Sequence, residues 1–310
     1  MDLSKPGGRS MTEDEPSGAE SSAREVQFLG RDGNRLAAEE FGRRGASPVI
    51  LLHGGGQTRH AWSGTGVRLA RAGYHVLAYD ARGHGDSEWA ADGDYSPDAL
   101  IGDLHAVSRT LDSPPVLVGA SMGGLTSMVA LGESGDRSAR ALVLVDIAAR
   151  LEAAGVSRVL DFMRAHTGGF ANLDEALDAV SGYNPHRPRP RGTDGLRKNL
   201  RLRNGRWYWH WDPRFLDHAT RTQAGEGLIQ QERREAAARK IGVPTLLVRG
   251  GSSDVVSPEG ALALRELIPH AELVDVAQAG HMVAGDRNDL FGDAVIEFLA
   301  RHPSLARSTP

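Results

Sequence analysis

Residues 119–123 read Gly-Ala-Ser-Met-Gly, a G-x-S-x-G pattern, and Gly124 follows. An apolar run from Pro115 to Val118 precedes the pattern, and a helical run from about Met122 to Leu131 follows it. Strand, sharp turn and helix together form the setting in which such a serine acts as a nucleophile. So tight a turn strains the serine backbone and leaves almost no room for side chains two residues to either side. Gly119, Gly123 and Gly124 meet that demand and lift the Ser121 hydroxyl above its strand. In isolation, the stretch also reads as a glycine-rich turn with an incidental serine.

A serine hydroxyl needs a base, and the base needs an orienting carboxylate. After an elbow serine, the expected chain order is acid, then histidine. His281, preceded by Gly280, is the expected base, and Asp254 in Gly250–Asp254 the expected acid. Asp146, at the end of another apolar run, is the rival for that place, and Asp254 also reads as an acidic residue ahead of a helix. His84, between Gly83 and Gly85, is a second candidate base, although that setting suits a loop-shaping role. A tetrahedral oxyanion needs two backbone N–H donors. Met122, at a helix N-terminus, and Gly55 of His53-Gly54-Gly55-Gly56 are expected to supply them, with Gly56 next in line. The triple glycine lacks the spacing of a nucleotide-binding loop.

These groups require a sheet. Val49–Leu52, His75–Tyr79, Pro115–Val118, Ala141–Val145 and Pro244–Val248 are short apolar runs, as expected of strands covered on both faces. Helical segments alternate with them, which implies a mostly parallel sheet with right-handed crossovers. Glu25–Leu29 and Arg35–Phe41, around Arg31-Asp32-Gly33-Asn34, predict an antiparallel hairpin at the start. Glu272–Val276 is the last expected strand. His53, Asp80, Ser121, Asp146, Asp254 and His281 all follow strand ends, the edge at which such sheets bind ligands. Residues 148–239 interrupt the alternation and predict a helical insertion after the sixth strand, between core segments 23–147 and 240–302.

The chain has 310 residues, 40% of them hydrophobic, enough for a large core. Its formal charge of −4 points neither to nucleic acid nor to an anionic membrane surface. With no cysteine, disulfides and thiol catalysis are excluded. No apolar run approaches the ~20 residues of a membrane span. Residues 1–22 are polar and predict a disordered tail, or a start site placed ahead of Met11; residues 303–310 are expected to be loose. The expectation is a cytoplasmic monomer or homodimer acting on a small molecule.

Taken together, Val49–Gly55, Asp80-Ala81-Arg82-Gly83-His84-Gly85-Asp86-Ser87, Gly119–Gly124, Gly250–Asp254 and Gly280-His281 resemble the α/β-hydrolase superfamily in order and spacing over roughly residues 25–300. The resemblance implies an eight-stranded sheet with its second strand antiparallel, and a helical lid where the insertion lies. Haloalkane dehalogenases and epoxide hydrolases of that superfamily carry Asp at the elbow; Ser121 implies acyl transfer instead, on esters, lactones or thioesters, or carbon–carbon hydrolysis of diketo acids. No metal or cofactor is implied.

The insertion holds Arg187, Arg189, Arg191, Arg197, Lys198, Arg201, Arg203 and Arg206, then Trp207-Tyr208-Trp209-His210-Trp211. One reading is a solvated basic helix with an aromatic anchor. The other is a pocket lined by Gly56, Trp209, Trp211 and Met282, with an arginine meeting an anionic group. The second predicts an ester bearing a free carboxylate, such as a monoalkyl phthalate, whose hydrolases belong to the same superfamily. Beside this carboxylic ester hydrolase stand a meta-cleavage-product hydrolase, a lactonase or a cofactor-free perhydrolase with the same triad, and a non-catalytic small-molecule receptor.

Overall fold

A computed structural model of the chain describes residues 23–183, 192–221, 229–277, 279–282 and 288–306. The expected tail at 1–22 lies outside the described residues, as do Arg187, Arg189 and Arg191. In chain order the first half comprises β1 (Arg24–Leu29), β2 (Arg35–Phe41), β3 (Pro48–Leu52), α1 (Ser63–Arg71), β4 (His75–Tyr79), α2 (Pro97–Ser108), β5 (Val116–Ala120), α3 (Met122–Ser134) and β6 (Ala141–Val145). The insertion contributes α4 (Ala153–Arg164), α5 (Leu173–Tyr183), α6 (Asp194–Arg197), β7 (Leu200–Arg203), β8 (Arg206–Trp209), α7 (Arg214–Arg221) and α8 (Gln231–Ala238). The chain returns through β9 (Thr245–Gly250), α9 (Pro258–Leu267), β10 (Glu272–Val276) and α10 (Gly292–Arg301). No helix among the described residues is long and apolar enough to cross a membrane.

Eight strands form one sheet in the order β1-β2-β4-β3-β5-β6-β9-β10, with β2 antiparallel to both neighbours and the rest parallel. The apolar strands are buried on both faces, and their period of two sorts side chains into separate cores. Ile50, Leu52, Leu77, Leu117, Leu142 and Leu144 meet α2, α3, α8 and α9. Val49, Leu51, Val76, Val118, Val143 and Val248 meet α1 and α10. Two helices open on serine caps: the Ser96 and Ser257 hydroxyls accept from the N–H three residues on, with proline opening α2 and α9.

The structure departs from expectation in three places. The described part of the basic stretch is helical only over α6; beyond it, β7 and β8 form an antiparallel hairpin pairing Leu200 with Trp209 and Leu202 with Trp207. Its turn is Asn204-Gly205, both at positive φ (48° and 76°), the pair a two-residue hairpin turn favours. Secondly, α8 sits tightly on α3; a Cβ added at Gly132 would stand 2.2 Å from the Ala237 carbonyl oxygen. Finally, Pro303–Ala306 form a 3-10 turn that buries Leu305.

Candidate active site

Register brings the site residues together. Leu52 pairs with Gly119 and Ala120 with Val145, so β3, β5 and β6 end level with one another. Ser121 still donates its N–H to the Val145 carbonyl (3.1 Å), and Asp146 donates to Val248 (2.7 Å). Both residues are therefore tethered by the ladder while already turning away from it. Each has positive φ, 45° for Ser121 and 49° for Asp146, an arrangement costing about 1–3 kcal/mol for a residue other than glycine. The elbow tolerates nothing larger than glycine at its flanks. A Cβ at Gly119 would meet the Gly123 oxygen at 2.4 Å, and one at Gly123 the Leu52 oxygen at 2.6 Å.

His281 follows β10, three strands from Ser121, and comes back across the sheet edge. Its Nε2 lies 3.1 Å from Ser121 Oγ, and its Nδ1 lies 2.7 Å from Asp146 Oδ2. A carboxylate can only accept, so Nδ1 carries the proton and Nε2 faces the hydroxyl as acceptor. Both the ring and Asp146 are buried. The Asp146 carboxylate is filled: Oδ1 accepts from Gly250 N–H at 2.8 Å, and Oδ2 also accepts from Ser253 Oγ at 2.8 Å.

The expected acid, Asp254, is not in this chain of bonds. It lies four residues beyond the end of β9, where the backbone has turned out against α4: a Cβ at Gly155 would lie 2.0 Å from the Asp254 oxygen. Its carboxylate pairs with Arg158 of α4 at 3.2 Å, half in solvent. The structure therefore places Asp146, the rival, against His281, and the loop after β9 serves that carboxylate through Gly250 and Ser253 rather than supplying one.

The expected oxyanion donors, Gly55 and Met122, border the same cavity as Ser121. Gly54–Gln57 is a turn closed by Gln57 N–H donating to the Gly54 oxygen at 3.0 Å, with Gly56 at φ 75°, the third position that a type II turn reserves for glycine. The turn is further held by Gln57 Oε1, which accepts from Gly54 N–H at 2.9 Å, and by His53 Nδ1, 2.8 Å from the Gly54 oxygen. Neither Gly55 N–H nor Met122 N–H donates to another described residue, and both residues border the cavity at Ser121. His84 is no base for Ser121. It is fully buried behind the site, edge-on to Phe215, and burial with the neighbouring His53 pushes its pKa down to about 3. Among the described residues, no three His, Asp or Glu are grouped to hold a metal.

The cavity encloses about 80 Å³ and is apolar apart from Ser121 and His281. Much of its wall is α4: Val156, Val159, Leu160 and Met163 face it, joined by Leu125, Ile147 and Phe215. That i, i+3, i+4, i+7 spacing was readable in the sequence as one apolar helix face. Gly56, Trp209, Trp211 and Met282, expected in the wall, do not line it. Trp209 stacks on Trp211 at 4.9 Å and packs on Phe162 and Phe170; Trp211 touches Gly56; Met282 lies in the core on the opposite sheet face. The described arginines of the hairpin are engaged elsewhere. Arg201 donates to the Gly85 oxygen and Asp86, Arg206 to the Gly168 and Gly169 oxygens, and Arg203 covers the Trp89 ring.

A family model described as alpha/beta hydrolase fold matches residues 47–287, which takes in the turn at Gly54–Gln57, the elbow, Asp146 and His281. This chain belongs to the α/β-hydrolase family. It is 32% identical over 252 residues to the esterase Rv0045c of Mycobacterium tuberculosis, covering 78% of this chain and 80% of that protein. It is 31% identical over 269 residues to the sn-1-specific diacylglycerol lipase ABHD11 of Mus musculus, covering 81% and 80%. The crystal structure of the M. tuberculosis esterase superposes with a TM-score of 0.65 at 29% identity, covering 91% of each chain.

Proposed function

We propose that this α/β-hydrolase is a serine esterase that cleaves neutral carboxylic esters of short apolar acyl groups through an acyl-enzyme. The observation that carries the reading is the bonded series Ser121 Oγ–His281 Nε2 (3.1 Å) and His281 Nδ1–Asp146 Oδ2 (2.7 Å) at the floor of an apolar cavity. His281 takes the hydroxyl proton as Ser121 attacks the ester carbonyl, and Asp146 stabilises the imidazolium that forms. Gly55 and Met122 N–H groups receive the oxyanion. His281 then protonates the leaving alcohol, and water repeats the sequence on the acyl-enzyme.

The cavity volume is small beside the roughly 300–1,000 Å³ of sites that bury drug-sized ligands, which supports a short acyl chain. No described cation borders it, which favours a neutral ester over the carboxylate-bearing one that the arginine-rich sequence suggests. The test is turnover of p-nitrophenyl butyrate against p-nitrophenyl laurate, and of a phthalate diester against its monoester, by wild type and Ser121→Ala. Wild type is expected to favour butyrate and the diester, and Ser121→Ala to lose at least ~10³-fold in kcat while keeping its fold. Retained activity in Ser121→Ala refutes the mechanism; faster monoester hydrolysis refutes the substrate assignment alone.

A further inference from the structure

We infer that His210, in the insertion, is a positioning residue for the oxyanion donor: its imidazole braces the turn that carries Gly55 against the loop after β4. The inference rests on the esterase reading. His210 directly follows β8 and is 1% exposed. Its Nδ1 accepts from Gly85 N–H at 2.7 Å, and its Nε2 lies 3.1 Å from the Gly56 carbonyl oxygen. A backbone N–H can only donate and a carbonyl only accept, so both ring positions are assigned: neutral imidazole, proton on Nε2. The ring does not line the cavity at Ser121. Its bond to Gly56 instead fixes the far end of the Gly54–Gln57 turn, whose near end is held by His53 and Gln57.

The brace is stiff because its other end is fixed several times over. Arg201 donates to the Gly85 oxygen at 2.7 Å, Asp212 N–H donates to the Gly83 oxygen at 2.9 Å, and Tyr95 hydroxyl donates to Asp212 at 2.6 Å. Trp211 and His84 pack against the ring. Gly55 itself has no side chain by which to be held, and its N–H is kept free for substrate. Its position is therefore inherited from neighbours, and His210 ties it to the insertion by a hydrogen bond, beside the packing of Met163, Phe215 and Trp211. Loss of the Gly56 bond lets the donor drift from the place where the oxyanion forms, and misplacement by about 1 Å costs about 10²-fold in rate.

Two substitutions separate this role from simple packing. In His210→Gln the terminal amide reaches the place of Nε2 and retains a donor for Gly56. In His210→Asn the shorter amide reaches the place of Nδ1, retaining an acceptor for Gly85 but no donor for Gly56. With p-nitrophenyl butyrate, His210→Asn is expected to lose about 10- to 100-fold in kcat with KM nearly unchanged. Its affinity for an alkyl trifluoromethyl ketone, which adds to the serine as an oxyanion, falls by the same factor. His210→Gln is expected to recover most of both. Equal kcat losses in the two variants, or a loss in KM alone, overturn the inference while leaving the esterase reading intact. Wild-type turnover that survives Ser121→Ala overturns the esterase reading and the inference with it. If His210→Asn fails to fold while His210→Gln folds and matches wild type in kcat and ketone affinity, the Gly56 bond is supported; His210→Gln impaired in both overturns it.

Discussion

Exchanging Asp146 for asparagine is the sharpest test of the site. In the native arrangement, His281 Nδ1–H donates to Asp146 Oδ2, which also accepts the Ser253 hydroxyl, while Oδ1 accepts Gly250 N–H. An asparagine keeps the Gly250 bond by placing its oxygen there, and its amide N–H₂ then faces His281. The imidazole answers by moving its proton to Nε2, the nitrogen 3.1 Å from Ser121, and the serine loses its base. In a serine protease, the same exchange at the triad acid lowers kcat by about 10⁴, or about 5.4 kcal/mol of barrier. Asp146→Asn is therefore expected to fall by about 10³–10⁴ on p-nitrophenyl butyrate. Asp254→Asn removes only a half-exposed pair with Arg158, of a kind worth about 0–1 kcal/mol of stability, and should leave kcat within about threefold. Steady-state kinetics beside a thermal melt for each variant reads out both effects. A large loss in Asp254→Asn with Asp146→Asn near wild type would refute the reasoning.

Three further outcomes follow from the same geometry. Ser253→Ala deletes a hydroxyl that donates to the buried carboxylate, a bond worth about 1.5–3 kcal/mol, and is expected to lower kcat about 10- to 100-fold with KM unchanged. Val159→Trp fills the cavity from α4 and should raise KM for butyrate esters more than for acetate, whereas Met163→Ala should admit longer acyl chains; acyl-chain profiles of the two variants check this. His53, His84 and His210 are buried, and desolvation holds each below its ordinary pKa, His84 at about 3. Below about pH 6.5 the unfolded chain takes up protons at these positions more readily than the folded one. Stability from this source is complete above that pH and falls on acidification, by up to about 1.4 kcal/mol per pH unit per histidine. Urea midpoints from pH 7 to pH 5, with His84→Leu showing a shallower decline, measure it.

Most of the fold was legible because its signals are local and redundant. Five strands are continuous apolar runs, and the glycines about Ser121 leave few alternatives to an elbow. Ser121 and His281, 3.1 Å apart in the structure, could be singled out for the same reason. The carboxylate that meets the imidazole could not. Asp146 and Asp254 both lie past apolar strands, and which carboxylate reaches the imidazole depends on where the backbone turns outward after β9, a tertiary matter. The hairpin at Asn204-Gly205 carried a plain turn signal that the surrounding arginines disguised as a basic helix. Those arginines and tryptophans also suggested a substrate pocket. Among the described residues, Arg201 and Arg206 instead serve backbone carbonyls, Arg203 and the tryptophans meet aromatic rings, and the cavity wall comes from the less conspicuous aliphatic face of α4.

Ser121 and Asp146 arise on adjoining strands, each still anchored by one ladder bond, so the distance between them is set by the interstrand spacing of the sheet. Only the imidazole arrives on a loop. On the proposed mechanism such an arrangement has a single adjustable part, and thermal inactivation should begin with loss of the His281 bonds to Ser121 and Asp146 while those two residues stay in register.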